Sequence, residues 1–250
     1  MRAKVGFFSG LYSSGVARYI AVAHGTTPFV SAYPWSGSGF GTKFSNPATL
    51  PASTGFGVSF SPSGDTIAVS HTTTPFVAVY PWSGSGFGTK FSNPATLPAG
   101  TGNGVSFSPS GDTIAVAHNS SPYVSIYPWS GGFGTKYSNP ATLPSSSGRT
   151  TAFSPAGDAI AVAAWGSPYI LVYPWDSSTG FGTKYSNPAT LPAGAAYSAV
   201  FSPAGDAIAV SHVTTPFVSV YPWDVSTGFG TKFSNPATLP ASNGIAVAFA

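Results

Sequence analysis

The chain contains no cysteine, one methionine and no glutamate, and only 6% of its 250 residues are charged. Without cysteine there is neither a disulfide framework nor a thiolate metal site. Six aspartates are the whole acidic complement, and no pair of them is spaced for acid/base work or for a calcium cage. No apolar run approaches the roughly 18 residues that a membrane helix needs, so no membrane partner is expected. Met1 to Leu11 carries Arg2 and Lys4 before Val5, Phe7 and Phe8, but Gly6, Ser9 and Gly10 interrupt it too soon for a signal peptide.

Glycine (30) and proline (24) are abundant, hydrophobic residues reach 42% and aromatics 15%. This is the composition of a turn-rich, strand-prone chain with ample apolar surface to bury. The net charge is +3. Five of its nine basic residues, Lys43, Lys90, Lys136, Lys184 and Lys232, occupy one repeat position. Such an even collar is not the one-sided basic stripe of a nucleic-acid binder.

Self-similarity dominates the sequence. Tyr-Pro-Trp begins at Tyr33, Tyr80, Tyr127, Tyr173 and Tyr221, a period of about 47 residues, and each copy leads into Gly-Phe-Gly-Thr-Lys-(Phe/Tyr)-Ser-Asn-Pro-Ala-Thr-Leu-Pro. Phe-Ser-Pro-(Ser/Ala)-Gly-Asp follows at Phe60, Phe107, Phe153 and Phe201. In the second unit Val58 to Phe60 reads as strand a, the Ser-Pro-Ser-Gly-Asp cluster as a turn, Ile67 to Ser70 as strand b and Phe76 to Tyr80 as strand c. A fourth strand is expected around Lys90 to Leu97, where Pro94 assigns it to the outer edge. The fold expected is all-β, a five-bladed β-propeller of four-stranded antiparallel blades forming one domain over 1–250. Gly244 to Phe249 matches strand a and Ile20 to His24 matches strand b, so the C-terminal strand is expected to complete the first blade and close the ring. The competing arrangement has Lys4 to Phe8 supply strand a locally and leaves Ile245 to Phe249 to a neighbouring molecule. A monomer is favoured, with self-assembly the alternative.

Phe60-Ser61-Pro62-Ser63-Gly64-Asp65-Thr66-Ile67-Ala68, with Tyr80-Pro81-Trp82 further on, resembles the WD40 repeat family: strand a, turn, strand b and the strand c tryptophan. The Gly-His pair is missing, and Thr or Ser stands where the family usually places Asp before strand c. A looser resemblance is to repeat proteins of bacteriophage tails or surfaces, which implies an extracellular or virion location.

Asp65, Asp112, Asp158 and Asp206 sit in the a–b turn, where a carboxylate is expected to cap backbone amides. His24, His71, His118 and His212 end strand b, with Ala164 in the fourth unit, and read as structural and not as metal ligands. No serine lies in a nucleophile elbow and no glycine-rich turn precedes a helix. Neither catalysis nor a cofactor is therefore expected.

The copies differ chiefly at two positions. Phe56, Asn103, Arg149, Tyr197 and Ile245 occupy one site in the d–a connection, and Gly25, Thr72, Asn119, Trp165 and Val213 occupy one just after strand b. In a four-stranded meander both loops emerge on one face, which in the WD40 family commonly holds partner-binding residues. Tyr, Trp and Arg are the types enriched in binding hot spots. The function expected is a non-catalytic recognition or scaffold module holding a protein or other partner there. The alternatives are a multivalent lectin using the repeated Trp, Lys and Asn sets, or a structural subunit of a virion or extracellular array.

Overall fold

The computed structural model describes residues 18–250. Alternating apolar residues flanked by Pro, Gly and Ser turns produce short antiparallel strands that group into five sheets. The first comprises β1 (Arg18–Ala23), β2 (Val30–Ser36) and β3 (Gly39–Phe40), and the second β4 (Gly55–Phe60), β5 (Thr66–His71), β6 (Val77–Ser83) and β7 (Gly86–Phe87). The third holds β8 (Gly102–Phe107), β9 (Thr113–His118) and β10 (Val124–Pro128). The fourth runs through β11 (Gly148–Phe153), β12 (Ala159–Ala164), β13 (Ile170–Asp176) and β14 (Gly180–Phe181). The fifth runs through β15 (Ala196–Phe201), β16 (Ala207–His212), β17 (Val218–Asp224) and β18 (Gly228–Phe229). Each sheet is a meander, and β4, β8, β11 and β15 lie side by side as the inner wall.

Two features differ from the sequence-based expectation. The outer strand is a two-residue Gly-Phe hairpin arm paired to the end of strand c, as in Trp82↔Phe87 and Ser83↔Gly86, and in the third blade it shrinks to the single bridge Trp129↔Phe133. The segment Lys90 to Leu97 is irregular; Phe91 N–H still donates to Val79 O at 2.9 Å, but Pro94 offers no donor to continue a ladder. Ring closure by the C-terminal strand is not confirmed among the described residues, and the competing strand a at Lys4 to Phe8 lies outside them. Residues 244–250 carry no strand, and β1 pairs only with β2, so the first blade has three strands among the described residues.

Blades pack face to face through four apolar cores. Strand c alternates between them: in the second blade Ala78, Tyr80 and Trp82 face the first blade while Val77 and Val79 face the third, and the other two cores repeat the pattern. At each junction an aromatic residue of one blade meets the tryptophan of the next edge to face: Phe44–Trp82, Phe91–Trp129, Tyr137–Trp175 and Tyr185–Trp223, with ring centroids 4.8–5.0 Å apart. The tyrosine of each Tyr-Pro-Trp also ties back across the junction, Tyr80 to Thr49 O, Tyr127 to Thr96 O, Tyr173 to Thr142 O and Tyr221 to Thr190 O.

Candidate functional site

The b–c loops and the starts of strand a are stitched together by backbone bonds. Thr72, Asn119, Trp165 and Val213 donate their N–H groups to Thr54, Thr101, Ser147 and Ala195, so both variable positions lie on one face. The residue after each loop proline, such as Phe76 or Tyr123, has φ near 70°, and its carbonyl accepts from the end of strand b. That carbonyl is also why glycine opens strand a at Gly102 and Gly148: a Cβ there would collide with Phe76 O or Tyr123 O of the preceding blade.

Of the ten variable residues, three come into ring contact. The Arg149 guanidinium carbon lies 5.4 Å from the Trp165 ring centroid and 5.1 Å from that of Tyr197, and the two rings meet edge to face at 5.3 Å. Trp165 is 43% exposed, whereas Arg149 and Tyr197 are half-buried. Asn103 flanks them, its Nδ2 donating to Ser147 Oγ at 3.1 Å and Gly148 O at 2.7 Å. The other six stand apart from this group. Phe56, Ile245 and Val213 are half-buried, and Gly25 and Asn119 are exposed. Thr72 shares a hydroxyl contact with Ser53 at 2.7 Å.

Arg149 is set in unusual electrostatic surroundings. Burial pushes its guanidinium below the ordinary arginine range, and its electrostatic partner on the opposing side is Tyr197 rather than a carboxylate. Its Nε is buried with no hydrogen-bond acceptor. All six aspartates lie elsewhere, four in a–b turns and Asp176 and Asp224 at the ends of strand c. These positions belong to the opposite face, because strands a and c both run away from the Arg149 rim. The rim that holds Arg149 is therefore free of carboxylates.

The four turn aspartates accept chiefly from serine and threonine hydroxyls, with a backbone amide contributing only at Asp65. Ser61 Oγ accepts from Thr66 N–H at 3.1 Å, and Asp65 accepts instead from the Ser61 and Thr66 hydroxyls at 2.9 Å. Asp176 and Asp224 do cap backbone amides, those of Ser178 and Ser226. His118 and His212 are fully buried and bond Ser125 and Ser219, and no metal-holding cluster of His, Cys, Asp or Glu occurs among the described residues. Trp82, Trp129, Trp175 and Trp223 are 4–7% exposed, walled in between blades, and each repeat lysine bonds its neighbouring asparagine, as Lys90 Nζ does Asn93 Oδ1 at 2.5 Å. The Trp, Lys and Asn sets at the four blade junctions thus offer no open sugar face, whereas Trp35 of the first blade is 37% exposed.

The chain has a propeller-like fold. It is similar to a Bacteroides uniformis protein provisionally named a 6-phosphogluconolactonase, with TM-score 0.65 and 17% identity over 88% of this chain and 67% of that one. It is also similar to a protein from Lactobacillus plantarum, with TM-score 0.69 and 15% identity over 90% of this chain and 69% of the other. Kuenenia stuttgartiensis hydrazine synthase matches with TM-score 0.62 and 15% identity over 83% and 60% of the two chains. The chain thus spans about two thirds of the length of these structures. No family model and no curated protein matches it, so the WD40 resemblance extends only to the repeated antiparallel blade. The functional expectation is corrected here. Solved structures similar in fold are named as a 6-phosphogluconolactonase and a hydrazine synthase, so the fold does not speak for a non-catalytic recognition or scaffold module.

Proposed function

We propose that the chain is a lactonase-type hydrolase that opens a small, anionic sugar lactone at the Arg149 site. The observation that carries this reading is the half-buried guanidinium between Trp165 and Tyr197, short of an acceptor at Nε, on a rim without carboxylates. The name of the Bacteroides uniformis relative in fold supplies the substrate class.

When water adds to a lactone carbonyl, negative charge grows on the carbonyl oxygen. The ring C–O bond then breaks, the ring oxygen leaves as a hydroxyl after taking a proton, and the carbonyl carbon becomes a carboxylate with release of a proton. A fixed cation in a partly dehydrated aromatic setting stabilises that growing charge more than bulk water does. Trp165, with an exposed ring, offers the sugar's apolar face a surface to stack on. The absence of carboxylates from the rim removes repulsion against an anionic substrate.

Binding is tested by calorimetric titration of the full chain with 6-phosphogluconate, the ring-opened product. One site per chain is expected, lost in Arg149→Gln and weakened in Trp165→Ala. Binding unchanged by Arg149→Gln, or no binding to the wild-type chain, would sink the assignment.

A further inference from the structure

The four blade junctions are built from one repeated set of contacts, and the two ends of the array present the two halves of a fifth. On the first blade, Tyr33 and Trp35 stand where Tyr80 and Trp82 stand on the second. Trp35 is nevertheless 37% exposed against 4% for Trp82, and Phe40 beside it is 65% exposed. On the fifth blade, Phe233 corresponds to Phe44, Phe91, Tyr137 and Tyr185, each of which packs on the next blade's tryptophan; Phe233 is 52% exposed. Val218 and Val220 correspond to Val77 and Val79, which are 1% exposed, yet they remain only half-buried. The bond from Tyr33 to Thr238 O that would complete the series of tyrosine ties is not made within the chain, and neither is a Phe233–Trp35 contact.

The inner wall repeats this complementarity. Gly244 donates its N–H to His212 O at 3.0 Å, as Gly55 does to His24 O, and a Cβ at Gly244 would meet Phe217 O, Ser211 and His212 as one at Gly102 would meet Phe76 O, Ser70 and His71. Residues 244–249 therefore lie beside the fifth blade at the strand a position of a following blade, but without a strand b to pair with. The first blade has the opposite lack: β1 is a strand b with no inner neighbour among the described residues.

We infer that the tail face of one copy docks on the head face of a second copy. Residues 245–249 add to β1 of that copy, Phe233 packs on its Trp35, and Thr238 O accepts from its Tyr33. The occupant is another copy because each end is complementary to the other by repetition and the contact continues an interface formed four times within the chain. Such an interface is heterologous, so each copy keeps one free end of each kind until the assembly closes.

The test is light scattering on the full chain and on two variants altered at exposed positions, Trp35→Asp at the head and Phe233→Asp at the tail, with circular dichroism to verify folding. The wild-type mass is expected to rise with concentration above 25.3 kDa. Each variant alone should remain at 25.3 kDa. Because each retains one intact end, an equimolar mixture should reach twice that mass and stop. A wild-type chain that stays at 25.3 kDa across the micromolar to millimolar range would overturn the inference in favour of closure within the chain or unpaired ends. Assembly of either single variant as readily as the wild type would overturn it as well.

Discussion

His71 shows how one change inside a repeat alters the chemistry of a buried site. His24, His118 and His212 place Nε2 3.0–3.1 Å from the hydroxyls of Ser31, Ser125 and Ser219. The matching residue for His71 is Ala78, and both ring nitrogens of His71 are buried without a hydrogen-bond partner. In the fourth blade the pair is replaced as a unit by Ala164 and Leu171, an apolar solution to the same packing problem. Ala78→Ser restores the missing partner and is expected to stabilise the chain by about 1 kcal/mol, read as a higher urea midpoint at unchanged slope; a lower midpoint would show that the site has no room for the hydroxyl. Burial pushes His71 and His118 down to about 4, below the value of about 6.5 of an unfolded chain. Between those values the unfolded state binds more protons, so stability falls as the pH drops from about 6.5 to about 4, and these two groups add no further loss below that. A urea series across this window should show a loss of a few kcal/mol, diminished in His118→Ala when each pH is referenced to neutral; a flat profile would mean that the imidazoles hydrate in the fold.

At the scale of the blade, strands a, b and c were legible because Val, Ile and Ala alternate between turns of Pro, Gly and Asp; β4 starts three residues before the expected strand a, β5 adds one residue at each end of strand b, and β6 starts one residue later than strand c and ends three beyond it. The outer strand was misplaced because the ladder to strand c is confined to the Gly-Phe arm; beyond it only the single bonds from Gly88 to Pro81 O and from Phe91 to Val79 O reach strand c before Pro94. Which neighbouring blade each tryptophan faces was not legible, because the Pro of Tyr-Pro-Trp hides the alternation. Once the junction is seen, the energetics follow. Trp129, 7% exposed, packs on Phe91, Phe107 and Phe133, so Trp129→Ala is expected to cost about 3–5 kcal/mol. Trp35→Ala removes a ring that is 37% exposed and in dilute solution should cost less than half as much. Thermal melts of the two variants decide this, and equal losses would mean that the first blade is capped like the others.

Across the whole molecule, the carboxylates gather on one face while Arg149 stands on the other, an asymmetry that follows from strand direction once the blades are in place. The residues of the site could be picked out in the sequence because the copies diverge at Arg149, Trp165, Tyr197 and Asn103. That Arg149, Trp165 and Tyr197 meet while Phe56, Ile245 and Gly25 stay apart from them depends on which blades are neighbours and on ring orientation, neither of which a repeat pattern encodes. Whether residues 244–249 clasp the first blade likewise depends on inter-blade packing, which a repeat pattern does not encode, and no strand forms there among the described residues. The lactonase assignment is tested most directly by the initial rate of 6-phosphogluconolactone opening, followed as proton release, for the wild-type chain and for Arg149→Gln, with the spontaneous rate subtracted. A rate above the spontaneous one that falls about a hundredfold in kcat in the variant is expected, the magnitude for losing one oxyanion-stabilising donor. A wild-type rate equal to the spontaneous one, or a variant as fast as the wild type, contradicts it.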